Sequence, residues 1–157
     1  MTNYEKAFLD LLSYCEGTYG KSKNGYDVLY SAKPSELRVI NNWTEDTTII
    51  HGKEKWKVAI NKDKTLFTTA AGRYQFIGST WEEMNNKINA PMTKVNQDNA
   101  ALKLIKRILG QNFDFNITNE AEMTEVSNKL KTTWTSLNKF KPDKTLLLYK
   151  QAYYKYN

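Results

Sequence analysis

Tyr4-Glu5-Lys6-Ala7-Phe8-Leu9-Asp10-Leu11-Leu12-Ser13-Tyr14-Cys15-Glu16-Gly17 is the stretch whose reading decides the fold. Tyr4, Ala7, Phe8, Leu11, Leu12 and Cys15 recur at the i, i+3, i+4, i+7 spacing of one buried helical stripe. Thr2 and Glu5 have the spacing of a capping box, and Gly17 suits the left-handed residue that closes a helix. Phe8, Leu12 and Glu16 are successive i+4 positions and so form one ridge. A ridge that enters the core therefore ends in a carboxyl group. Burial disfavours its ionised form, and the negative end of the helix dipole acts in the same direction, so its pKa is expected to rise. A carboxylic acid that keeps its proton near neutral pH is what a general acid requires. The position equally suits a solvated last-turn residue, because most charged residues near helix ends face water.

Beyond this helix a polar, glycine-bearing loop runs through Gly25. From about Leu37 to Thr69 the pattern turns β-like: Leu37-Arg38-Val39-Ile40, Thr47 to Ile50, Trp56-Lys57-Val58-Ala59-Ile60 and Leu66-Phe67-Thr68 are short runs between turn residues. From Gly72 onward the chain reads as helical. Thr80 and Glu83 have the spacing to cap a helix carrying Trp81, Met84 and Ile88, which Pro91 would end. Asn96 is expected to start another, carrying Ala101, Leu104, Ile105, Ile108 and Leu109 and stopped by Gly110. Thr118 or Asn119 opens a third, with Met123, Val126, Leu130, Trp134 and Leu137 as its inner face. Pro142 begins the last, with Leu146, Tyr149, Tyr153 and Tyr156 in step. The order predicts one α+β domain over residues 1–157, mostly helical, with a small antiparallel β part inserted after the first helix.

The 157 residues are enough for one domain with a real core. Hydrophobic residues at 40% and aromatics at 13% exclude a disordered tail. No apolar run approaches the ~20 residues of a membrane span. The N-terminus leads straight into the first helix without a basic segment and a long apolar one, so no ordinary secretory signal is expected. Lysine and arginine (23) exceed aspartate and glutamate (17), a surplus that favours polyanions such as nucleic acid, anionic lipid or acidic wall polymer. Lys53, Lys55 and Lys57 are the densest basic group, and one solvated strand face explains them equally well. Cys15 is the sole cysteine, which excludes an intrachain disulfide, and its place on the apolar stripe suits core packing. One cysteine and one histidine, His51, give no zinc ligand set, and nothing in the sequence brings the two together as a dyad. Neither a metal nor a cofactor is expected.

Three segments carry the chemistry: Ser13 to Thr18 around Glu16, Gly25-Tyr26-Asp27-Val28, and Ala70-Ala71-Gly72-Arg73-Tyr74-Gln75-Phe76. Gly72 and Gly78 bracket a stretch where backbone can approach a ligand, and Arg73, Tyr74 and Gln75 offer hydrogen-bonding groups and an aromatic face. In order and approximate spacing, with a weaker likeness at Trp134-Thr135-Ser136-Leu137, the set resembles the lambda-type phage lysozymes. Those are small lytic transglycosylases that cleave peptidoglycan. The resemblance implies a lysozyme-like fold, with a groove between a helical lobe and a small β lobe, and makes Glu16 the catalytic acid. It implies cleavage of the β-1,4 bond between N-acetylmuramic acid and N-acetylglucosamine, with a 1,6-anhydromuramic product.

Tyr26, Asp27, Arg73, Tyr74 and Gln75 become the expected substrate-binding residues, with Gln75 favoured for a direct sugar contact. A hydrolase of the same fold, using Asp27 with Glu16 and water, is the alternative mechanism. A non-catalytic wall-glycan-binding module is the alternative class. The expected partner is peptidoglycan rather than nucleic acid, with no stable membrane insertion and a monomeric state. The expected route is synthesis in the host cytoplasm without a signal peptide, then action on the wall or periplasm after release, or as part of a virion. The chain departs from the family in a longer stretch between Val28 and Ala71. It also carries Asn138-Lys139-Phe140-Lys141-Pro142-Asp143-Lys144 where the family has a glycine-rich loop, and no binding residue is assigned there.

Overall fold

The computed structural model describes residues 1–31, 35–40, 58–59, 67–87 and 90–157. The expectations for Thr47 to Ile50, His51, the Lys53, Lys55 and Lys57 group and Ile88 lie outside the described residues. Two compact units emerge, one of residues 1–19 with 101–157, the other of residues 20–100.

The first unit is helical. Its α1 runs Asn3–Glu16 and starts as expected: Thr2 Oγ1 accepts from the Glu5 N–H at 3.1 Å, and Thr2 N–H donates to Glu5 Oε2 at 2.8 Å. At the other end Gly17 takes φ 72°, and the N–H groups of Gly17 and Thr18 donate to the carbonyls of Tyr14 and Ser13. That is a Schellman ending, which satisfies carbonyls the helix leaves open. The ridge reading holds, since Ala7, Phe8, Leu11 and Leu12 are fully buried. Burying a side chain such as Phe8 is worth about 1.5–3 kcal/mol. Helix α4 (Glu120–Leu130) and helix α5 (Pro142–Tyr154) complete this core, with α5 packed on both α1 and α4. Phe8 meets Phe115 and Tyr149 edge-on, at centroid distances of 5.6 and 6.4 Å. The Tyr149 hydroxyl donates to the Phe115 carbonyl.

The second unit holds short antiparallel ladders. β1 (Val28–Leu29) pairs with β2 (Arg38–Val39), and β3 (Val58–Ala59) pairs with β4 (Phe67–Thr68). β2, β3 and β4 fall within runs expected to be strands, whereas β1 lies outside them, at the end of the Gly25–Val28 motif, for which the sequence predicts no strand. An isolated bridge joins Leu29 to Ala71, and Ala71 pairs with Phe76 to close a tight turn. Helix α2 (Gly78–Asn85) follows, and helix α3 (Lys94–Leu109) begins in this unit and ends in the first. The whole is α+β, mostly helical, with small antiparallel sheets after the first helix.

Several boundaries differ from expectation. Thr80 does not cap α2; Ile77, extended and without a side-chain cap, precedes a helix that already starts at Gly78. The turn from Ala71 to Phe76 hands the chain to α2 directly, placing Thr80 inside it. Nor does Pro91 end α2, which closes at left-handed Asn86. α3 starts at Lys94 rather than Asn96, and Thr93 Oγ1 accepts from the Asn96 N–H at 3.2 Å. α4 begins after Asn119, whose side chain accepts from the Glu122 N–H, as expected. It stops at Leu130, so Trp134 is not on its face. Trp134 instead leads a 3-10 turn, Thr135–Asn138, and is buried from there.

Candidate functional site

Glu16 is the last residue of α1, half-buried at the mouth of the ridge. The 3-10 turn Thr135–Asn138 packs against α1 and against α4. It brings Ser136, 120 positions along the chain, to the carboxyl, where Ser136 Oγ donates to Glu16 Oε1 at 2.5 Å. Burial pushes the Glu16 pKa up, while the Ser136 hydrogen bond and the charge of Lys139 pull it down; the net shift is upward. The group therefore holds its proton longer than a solvated glutamate. Beside it, the buried Cys15 thiol is pushed up to about 12, first by burial and then by the charge of Glu16. It stays a neutral thiol, as a core residue should.

The remaining expected residues gather in the second unit. Tyr26 and Tyr74 both donate their hydroxyls to Asp98 Oδ1, at 2.8 and 2.6 Å. The Arg73 guanidinium lies 5.1 Å from the Tyr26 ring centroid and 5.9 Å from that of Tyr74, and Nη1 donates to the Tyr26 hydroxyl at 3.3 Å. Burial, the leading cause, raises the Tyr26 pKa to about 12 and that of Tyr74 well above the ordinary phenol value. Both stay neutral donors. Tyr74 and Arg73 are buried, at 1% and 4% exposure, and Tyr26 is half-buried.

Gln97, fully buried, ties the segment down: its Oε1 accepts from Arg73 N–H at 2.9 Å, and its Nε2 donates to the carbonyls of Tyr26 and Met92. Gln75 takes φ 50° in the tight turn and donates its amide to the carbonyls of Gly72 (2.9 Å) and Val28 (3.3 Å). Asp27 is buried, with Oδ2 accepting from Ser22 at 2.8 Å and Oδ1 enclosed without a partner among the described residues.

Tyr26, Arg73 and Tyr74 are thus brought together, Gln75 serves the adjoining turn, and Asp27 is tied to a different partner. Sequence reasoning missed Ser136, Asp98 and Gln97. Ser136 stood in the weakest of the family-like segments, and nothing local marked the other two. Among the described residues no group of three or more His, Cys, Asp and Glu side chains is placed to hold a metal, and no helix is long and apolar enough to cross a membrane.

A family model described as Endolysin matches residues 6–156. A solved structure of bacteriophage lambda lysozyme complexed with a chitohexasaccharide is similar at a TM-score of 0.74 and 24% identity, over 97% of this chain and 95% of that one. Another, lysozyme from bacteriophage lambda, is similar at a TM-score of 0.70 and 22% identity over the same shares. Among curated proteins no sequence matches.

Proposed function

The chain belongs to the Endolysin family, a family of wall-lytic enzymes, and from that premise we propose that it is a peptidoglycan lytic transglycosylase with Glu16 as its catalytic acid and base. The observation that carries this reading is a half-buried carboxyl at the end of α1 whose burial favours the protonated form. The likeness to a lysozyme solved with a chitohexasaccharide supports a glycan as the substrate.

Glu16 gives its proton to the glycosidic oxygen between muramic acid and glucosamine as an oxocarbenium-like transition state develops. Ser136 occupies Oε1, which leaves Oε2 as the oxygen that carries the proton. The carboxylate then accepts the proton of the muramyl C6 hydroxyl, whose oxygen closes on C1 to give the 1,6-anhydro product without water. General acid–base help of this kind is worth on the order of 10²–10⁴-fold.

Tyr26 and Gln75 are the partly exposed members of the second unit's set, and we assign them the sugar contacts. Gln75 has its amide nitrogen on backbone carbonyls, so its Oε1 is available to a sugar hydroxyl. Arg73 and Tyr74 position Tyr26. The hydrolytic reading requires Asp27 to activate water or to attack the sugar. Its carboxylate is enclosed, at 4% exposure, and engaged by Ser22, which supports a structural role instead.

Mass spectrometry of digested peptidoglycan tests the proposal. Anhydromuramyl ends are expected, and reducing muramic ends would replace it with the hydrolase. Glu16→Gln is expected to abolish lysis with the fold retained, and full activity in that variant would remove Glu16 from the chemistry.

A further inference from the structure

The lysine-rich segment after the 3-10 turn, which the sequence left without a role, helps to wall a cleft of about 370 Å³ in the helical unit. Sites for small ligands occupy roughly 300–1,000 Å³, so the space is large enough to hold one. On one side stand Ser127 and Asn128 of α4; on the other stand Lys139, Phe140, Lys141 and Thr145, where the loop enters α5. Lys139 and Lys141 form no ion pair among the described residues, unlike Lys106 with Glu5, Lys129 with Glu125 and Lys155 with Asp10. Lys139 and Lys144 instead rest their ammonium groups 5.6 and 4.5 Å from the centroid of the Phe140 ring.

Ser127 is only 8% exposed and lines the cleft, where its hydroxyl can donate to a ligand. Asn128 uses its carbonyl oxygen to accept from Lys131 at 3.5 Å, so its amide can donate to a ligand. The acids nearest in sequence do not neutralise the cleft: Glu125 is held by Lys129 at 2.7 Å, and Asp143 is not among the lining residues. The arrangement is cationic and rich in donors. Its complement is a small ligand bearing carboxylates and amides.

We infer that this cleft binds the acidic stem peptide carried by muramic acid, with Lys139 and Lys141 on its carboxylates and Ser127 and Asn128 on its amides. The inference rests on peptidoglycan being the substrate. Lys139 links the two sites, because it lines the cleft and its charge also acts on the Glu16 carboxyl. A stem seated here would be anchored close to the reacting end of α1.

The test uses the free tripeptide L-alanyl-γ-D-glutamyl-diaminopimelate and the same peptide with its carboxylates amidated, each titrated into the full chain and followed by amide NMR shifts. Saturable shifts at residues 124–128 and 137–145 are expected with the acidic peptide and not with the amidated one. Lys141→Ala should raise its Kd on the order of fivefold, about the upper limit for one screened charge pair, and Lys141→Glu more. Variants are compared only where thermal melts match the parent. Absence of shifts in the cleft at millimolar peptide, or equal binding of the amidated form, overturns the inference. Kinetics separate it from the reading on which it rests. The parent should show a lower KM for strands that keep their stems than for strands stripped by an amidase, and Lys141→Glu should shrink that ratio towards one. Equal KM values in the parent overturn the inference. Failure to cleave either strand overturns the proposed activity, and the peptide titration then decides the cleft alone.

Discussion

Ser136→Ala isolates the tuning of Glu16. The hydroxyl donates to Oε1 at 2.5 Å, and a hydrogen bond into a carboxylate stabilises its ionised form, so deleting it must raise the carboxyl pKa further. Hydrogen bonds to charged groups are worth about 1.5–3 kcal/mol, and one pKa unit corresponds to about 1.4 kcal/mol. Because Glu16 is half-buried and water can partly replace the lost donor, the lower end applies, a rise of about one unit. The assay is the initial rate of product release from purified glycan strands, measured as kcat/KM from about pH 4 to about pH 9, which reports the essential acid of the free enzyme. The alkaline limb of the profile is expected to move upward by about one pH unit. Lys139→Met should move it the same way by only a few tenths, and less at high salt, because that pull is an exposed charge. A limb that stays in place or moves down would refute the assignment of Glu16 as the titrating acid with Ser136 as its donor.

Glu16→Gln has a second readout in stability. Burial raises the folded-state pKa of Glu16, so its favourable contribution is complete below the unfolded value near ~4.3 and is lost as pH rises through the folded value. The variant should therefore be more stable than the parent at pH 8, with the gain vanishing towards pH 4, and thermal melts at the two pH values check it. Gly72→Ala should cost about 3 kcal/mol or more by urea unfolding, because Gly72 has φ 79° and a Cβ there would stand 2.3 Å from Gln97 Oε1. Asp10→Ala should cost about 1–3 kcal/mol, since buried Asp10 accepts from the Tyr156 hydroxyl at 2.9 Å and from Lys155 at 3.1 Å. Lys155→Met should cost less, its side chain being 48% exposed.

What the sequence made legible was local. Thr2, Glu5 and Gly17 act within a few residues of the helix ends they set, and Pro142 fits the first turn of α5 because its missing N–H has no helical partner there. Glu16 was legible because i+4 spacing alone puts it on the ridge of Phe8 and Leu12. The start of α2 was not, because it is decided by the Ala71–Phe76 bridge rather than by Thr80. Trp134 kept its buried place in the pattern while losing its helix: a 3-10 turn preserves the three-residue spacing to Leu137, so periodicity could not tell the two apart. Asp10 sat unremarked on α1 because its partners lie at the far end of the chain, 145 and 146 positions away. Asp98 is 72 positions from Tyr26, and Ser136 is 120 from Glu16. Partners at such separations leave no trace in spacing; only packing reveals them.

The balance at Glu16 bears on which reaction it serves. A transglycosylase asks one carboxyl to lose a proton and then to take one back from a sugar hydroxyl, so its pKa must sit high enough to keep the proton and low enough to release it. Burial alone would push the group further towards its protonated form. Ser136 and Lys139 oppose that drive, and neither contact is needed to hold α1, which is capped by Thr2, Glu5 and Gly17. Cys15 alongside stays neutral, its thiol held at about 12, so it adds no negative charge that would push the carboxyl further up. A hydrolase needs a second carboxylate as well, to attack the sugar or to activate water, and the candidate, Asp27, is enclosed and bonded to Ser22. A single carboxyl under opposed pulls, with Asp27 engaged by Ser22, is therefore better matched to a reaction that needs no second carboxylate.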